Sequence, residues 1–330
     1  MYSWNCSSLD SNLGVVKKIN AIKAHNSPTK KIYLILAIIF VGIASYKTLN
    51  EPTTMTLIKF NKMEKIDIAF ILFMLSSSYI TRATRWLFFI QQHPQESKST
   101  LFHFAVYLSG FAFTTTPGKS GELARSIYLT PIGVPFNYTF ACFISERSLD
   151  LAVVGLISSI VFYQLDFHFI WTTLLVLPLI FLVVIFLTKK LTIKKITLFP
   201  YHVLIYILQL FDSKKAPWPV LLSFVAWISQ GLILVKFSNS LNIELSTITL
   251  ISIYCSGLII GAISLIPAGI GATELGIVFL LTSFGVNNQD AFAISVASRA
   301  TTLLPALTLG LLCSIILTTK IKNFAIMFNL

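Results

Sequence analysis

Long apolar runs separated by short polar or basic connections organise the chain, and they set its elements. The runs Ile32–Tyr46, Ile66–Ile90, Tyr138–Gln164, Phe169–Thr188, Pro217–Phe237 and Asp290–Thr318 each predict a membrane-crossing helix. A span needs about 20 apolar residues. Ile32–Tyr46 is short, about 22 Å of helix at 1.5 Å per residue. Ile196–Phe211 is apolar but interrupted by Lys, His and Gln, a pattern for a helix lying in the interface. Two further apolar segments, Leu101–Thr130 and Thr247–Gly285, are broken in the middle and predict re-entrant hairpins. The first 31 residues are polar and carry no signal-peptide core, with a short surface helix expected over Leu13–Ala24.

The break in the first hairpin is Thr114-Thr-Thr-Pro-Gly-Lys-Ser-Gly-Glu-Leu-Ala-Arg125. Pro117, Gly118 and Gly121 oppose a helix there, and Lys119, Glu122 and Arg125 add three charges. At membrane depth, irregular backbone and charge survive only when protein or a water-filled cavity surrounds them. The second hairpin breaks at Pro267, Gly269 and Gly271, with Glu274 following.

These breaks belong to a longer echo. Val106-Tyr-Leu-Ser-Gly110 returns as Ile253-Tyr-Cys-Ser-Gly257, and Ser145-Glu-Arg147 returns as Ala297-Ser-Arg299. Glu122 to Arg147 is 25 positions, as is Glu274 to Arg299, at a common offset of 152. The tyrosines sit at an offset of 147, so the loops differ in length. The order suggests duplicated units of hairpin plus helix, about 101–164 and 247–318. Paired broken helices in corresponding halves point to a transport site.

Composition agrees: 55% of the 330 residues are hydrophobic, 12% are charged, and the mean hydropathy is +0.79. This is the composition of an integral membrane protein, with residues 32–330 as one transmembrane domain behind a polar, cytoplasmic segment 1–31. The net charge of +12 is spread beside apolar runs without interleaved aromatics, which fits topology signals and anionic-lipid contacts and not nucleic-acid binding. With the N-terminus inside, the richest Lys/Arg connections fall inside, the C-terminus is inside, and the two hairpins enter from opposite faces. An all-α integral membrane protein follows, with six full spans and two broken re-entrant hairpins in an inverted repeat. Cys6, Cys142, Cys255 and Cys313 form no Cys-x-x-Cys and predict packing roles. No metal spacing, catalytic triad or phosphate loop is evident, so no cofactor, metal or catalytic residue is expected.

A charge near the bilayer centre costs about 2.5–3.5 kcal/mol on insertion scales. Arg147, Glu146, Asp150 and Arg299 therefore need partners, and the repeat pairs Glu122 with Arg147 and Glu274 with Arg299. These pairs either line a groove for a polar headgroup or pin each hairpin to the next helix. Glu146 and Asp150, one turn apart, form either a proton or cation site or part of a packing network. Arg82 and Arg85 either snorkel to the interface or contact phosphate. Helices restarting after each break would offer unpaired N–H groups to an anion, with Lys119, Arg125, Arg147 and Arg299 adding charge. Trp86, Trp171 and Trp218 read as interfacial anchors, and the five histidines as surface or interface residues.

The motifs Arg82-x-x-Arg85-Trp86, Thr116-Pro-Gly-x-x-Gly-Glu122-x-x-Arg125, Glu146-Arg147-x-x-Asp150 and Pro267-x-Gly-x-Gly-x-x-Glu274 with Arg299 resemble the lysylphosphatidylglycerol synthase transmembrane-region family, also called flippase-like domain proteins. The likeness covers roughly residues 30–320. It implies an inner-membrane domain that moves, or helps move, a phospholipid or lipid-linked headgroup between leaflets, with membrane lipids as partners and a lipid-modifying enzyme as a candidate partner. Synthase members carry a cytosolic aminoacyltransferase domain after the membrane part. Here the chain ends at Leu330, so a stand-alone, non-enzymatic member is expected. Where many relatives have Pro-Gly-Gly, this chain has Pro-Ala-Gly, as if position 268 needs only a small residue. Three rivals stay open: a membrane subunit assisting a glycosyltransferase, an intramembrane transferase using Glu146 or Asp150 as base, and an ion-coupled solute transporter.

Overall fold

The computed structural model describes residues 60, 63–94, 99–114, 116–187, 199–211 and 217–327. The chain divides into units Met1–Glu51 and Pro52–Leu330, and every described residue lies in the second. The expected segment 1–31, the span Ile32–Tyr46, the basic stretch Lys189–Lys195, Lys214, Lys215 and Cys6 lie outside the described residues.

Among the described residues the structure is helix and connection, with no strand. Helix α1 covers Lys65–Ile90 and α2 covers Thr100–Ser109. Tighter 3-10 turns follow at Gly110–Phe113 and Pro117–Arg125, then the short α3, Ser126–Leu129, and a last turn at Thr130–Ile132. Next come α4 (Phe136–Gln164), α5 (His168–Leu187), α6 (Phe199–Leu210) and α7 (Pro217–Ser240). The second hairpin is α8 (Thr247–Ile263), a 3-10 turn at Pro267–Gly269 and α9 (Ala272–Ser283). Helix α10, Asn288–Met327, closes the chain.

Among the described residues three helices, α1, α7 and the Asn288–Thr319 part of α10, are long and apolar enough to cross a membrane. Helix α4 is as long, at 29 residues, but carries Glu146, Arg147 and Asp150 at its middle. Its length is therefore held by its neighbours, which cover those charges. Many large apolar side chains point outward, including Ile66, Phe73, Leu275, Leu311 and Ile315. That is the arrangement expected when lipid, not water, is the solvent.

Helix α1 lies along α7, α4 along α5 and α8, and α8 along α9. Helix α10 packs against both hairpins, touching α2 with its following turn and α9. The approach is close at Gly310, where an added Cβ would meet the Ala112 nitrogen and lie 2.6 Å from the Phe111 carbonyl carbon. Within a mostly aliphatic core, Trp86, Phe89, Tyr107 and Tyr254 are fully buried.

Two sequence expectations fail here. Trp86 is not an interfacial anchor: it is 0% exposed, with the Arg125 guanidinium over its ring at 4.9 Å. His103 is buried in α2, not at the surface. Both lie on helices apolar on nearly every face, so their position along the run did not reveal the side that packs inward. Trp218, at the start of α7, is exposed.

Candidate functional site

Each hairpin break is built from local chemistry. In the first, Thr116 Oγ1 donates to the Phe113 carbonyl at 2.8 Å and accepts the Gly121 amide at 2.6 Å, tying the turn across Pro117. Lys119 then adopts a left-handed φ of 56°, sparsely populated by non-glycine residues. The chain continues as the 3-10 turn Pro117–Arg125 and one α turn. The sequence predicted a restarting α-helix here, and that expectation is corrected. The proline and two glycines favour the tighter coil, so no long helix dipole points into the site from this side.

The second break also contains left-handed residues, Leu265, Ala268 and Gly269. A true α-helix restarts at Ala272, but Glu274 Oε2 accepts the Gly271 amide at 2.6 Å. That N-cap donor is therefore taken by the protein's own carboxylate, as in a capping box.

The turns of the two breaks touch one another. Beside them lies a cavity of about 350 Å³, walled by Thr114, Thr116 and Lys119 from one break and by Leu265, Ile266, Ala268 and Gly269 from the other. Tyr79 and Arg82 from α1, Arg147 and Asp150 from α4, Trp227 and Gln230 from α7, Thr273 from α9, and Arg299 and Thr302 from α10 complete its polar lining. Leu258, Ile259 and Leu303 supply apolar wall.

Behind this lining runs a network of ion pairs. Asp150 receives Arg85 Nη1 at 2.7 Å and Nη2 at 3.3 Å, the Trp227 indole N–H at 3.0 Å, and faces Arg147 Nη2 at 3.1 Å. Arg125 donates to Glu122 at 2.5 Å and to Glu146 at 2.8 Å. Glu122 also lies 3.6 Å from Arg147. Arg299 donates from Nε to Glu274 at 3.1 Å and from Nη2 to the Ala268 carbonyl at 3.0 Å. The pairs spaced 25 residues apart in the sequence thus face each other in space, Glu122 with Arg147 and Glu274 with Arg299.

Of the residues singled out by sequence, Arg82, Lys119, Arg147, Asp150 and Arg299 line the cavity. Arg85, Glu122, Arg125, Glu146 and Glu274 stand behind it as partners. Snorkelling does not describe Arg82 or Arg85, which are 5% and 0% exposed. Arg85 is held by Asp150 and Ser223, and Arg82 stacks on Trp227 with its guanidinium 4.1 Å from the ring centroid. Glu146 and Asp150 are each engaged by arginine, which suits a packing network better than a proton site. Sequence reasoning missed Trp227 and Gln230: a tryptophan and a glutamine inside an apolar run were the available signal.

Over residues 32–310 the chain matches the family described as the lysylphosphatidylglycerol synthase TM region. It is 26% identical over 326 positions to the UPF0104 membrane protein MJ1595 of Methanocaldococcus jannaschii, covering 88% of this chain and 96% of that one.

Proposed function

The chain belongs to the lysylphosphatidylglycerol synthase transmembrane-region family, and from that premise we propose that it translocates a phospholipid or lipid-linked headgroup between membrane leaflets. The observation that carries this reading is the cavity where both hairpin breaks meet, with four cationic side chains, Arg82, Lys119, Arg147 and Arg299, against one carboxylate, Asp150. Guanidinium and ammonium groups in a largely apolar wall suit a phosphate, and the apolar wall suits the start of a lipid tail. Arg147 and Arg299 contact the headgroup, while Glu122 and Glu274 hold those arginines in place.

In this reading the architecture is six spans and two hairpins in an inverted repeat within the inner membrane, both termini cytoplasmic, and rocking of one repeat against the other changes the leaflet served. Equivalent internal contacts support the repeat. Ser99 caps α2 and Ser246 caps α8, each accepting an amide three residues on, at the same 147-residue offset as the tyrosines. Gly110 packs against Arg125, and its counterpart Gly257 packs against Ile277, which is 152 residues after Arg125.

The test is leaflet accessibility of fluorescent phospholipids and polyprenyl-phosphate lipids in proteoliposomes. Wild-type protein should move at least one class, and the Arg147→Ala, Arg299→Ala double variant none. Absence of movement by folded wild type would refute translocation and favour a subunit that assists a lipid-modifying glycosyltransferase.

A further inference from the structure

The charges around the cavity do not cancel. Six cationic side chains, Arg82, Arg85, Lys119, Arg125, Arg147 and Arg299, share the region with four carboxylates, Glu122, Glu146, Asp150 and Glu274. Arg85, Arg125, Arg147 and Arg299 each face at least one of those carboxylates. Arg82 and Lys119 face none within ion-pair distance among the described residues, so the described side chains around the cavity carry two more cations than carboxylates.

Two of the three Arg82 guanidinium nitrogens also lack hydrogen-bond acceptors. It is 5% exposed and lies on the cavity wall, yet its Nε and Nη2 bond to nothing in the protein. Its guanidinium carbon lies 4.1 Å from the Trp227 ring centroid, a cation–π contact that supplies no hydrogen-bond acceptor. Buried donors ordinarily find partners, so an orphaned guanidinium beside a cavity marks a missing acceptor. Lys119 projects from the strained first break into the same cavity.

We infer that the ligand of this cavity is a phosphomonoester dianion at the head of a lipid, with Arg82 and Lys119 supplying the two charges that match it. The inference rests on the translocation reading for its lipid but makes a separate claim about headgroup charge. A phosphodiester brings one negative charge and leaves one of the two cations uncompensated. A zwitterionic headgroup adds a cation to a site already in positive excess. A phosphomonoester above its second pKa of about 6 brings close to two negative charges and three acceptor oxygens.

Titration calorimetry of the purified full chain in neutral detergent at pH 7 tests this. The probes are dioctanoyl phosphatidic acid, dioctanoyl phosphatidylglycerol, dioctanoyl phosphatidylcholine and inorganic phosphate. Phosphatidic acid should bind at least about tenfold tighter than either of the other lipids. In Arg82→Gln and in Lys119→Gln that preference should shrink towards unity. Equal binding of the three lipids by wild type, which needs no variant to fold, overturns the inference, as does no binding at all. A preference that survives in both variants overturns the role of Arg82 and Lys119. Inorganic phosphate binding as tightly as phosphatidic acid would overturn the lipid assignment in favour of a soluble phosphate. Selective binding without lipid movement in proteoliposomes would leave this inference standing and remove translocation; movement of phosphatidylglycerol with no binding preference would do the reverse.

Discussion

Arg85 and Asp150 form a buried two-point ion pair between α1 and α4, with Arg85 Nη1 2.7 Å from Oδ1 and Nη2 3.3 Å from Oδ2. Asp150 is also the acceptor for Trp227 on α7 and faces Arg147 beside the cavity. One carboxylate thereby joins three helices to the site. Removing one member of a buried pair strands the other, at a cost of about 3–5 kcal/mol. Arg85→Met and Asp150→Asn should each lower the thermal midpoint in detergent strongly, and the double variant should lose less than the sum. Additive losses in a double-mutant cycle would show that the pair is not coupled.

Arg147 and Arg299 should behave differently from Arg85. Without Arg147, Asp150 keeps Arg85 and Trp227, and Glu122 keeps Arg125. Without Arg299, Glu274 keeps the Gly271 amide. Each alanine variant should therefore insert and unfold close to wild type while losing lipid movement. A collapse in thermal stability equal to that of Asp150→Asn would recast these arginines as structural.

Ala268 has a φ of 56°, so position 268 asks for conformational freedom and not only for small size. Left-handed backbone costs an L-residue about 1–2 kcal/mol, and glycine avoids it while gaining unfolded-state entropy. Ala268→Gly should change stability by less than about 1 kcal/mol because these effects oppose. Ala268→Val should be clearly destabilising, since a β-branched residue is poorly tolerated there, and should disturb Arg299, whose Nη2 bonds the Ala268 carbonyl. Equal unfolding midpoints for the two variants would sink this account.

Gly310 sets how closely α10 can approach the first hairpin. A methyl group there meets backbone at Ala112 and Phe111, which cannot swing aside as a flexible side chain can. Gly310→Ala should destabilise by about 1–3 kcal/mol through overpacking, despite alanine's better helix propensity. A thermal midpoint unchanged or raised would mean that the contact relaxes freely.

Hydropathy and the placement of Pro and Gly determined the described helices and both hairpin breaks, because a bilayer rewards long apolar helices and penalises irregular backbone. The recurrence of Glu and Arg 25 positions apart also announced two ion pairs, since a charge within an apolar run needs a partner. Tertiary structure decided which arginine meets which acid and which meets none. Arg82 and Arg85 lie three residues apart on one helix, yet Arg85 is locked to Asp150 while Arg82 faces the cavity over Trp227. Likewise Trp86 turns inward and Trp218 outward. Helices that are apolar on nearly every face carry no periodic signal for their rotation about the axis, so packing against neighbours, and not the run of residues, chose the side that became the site.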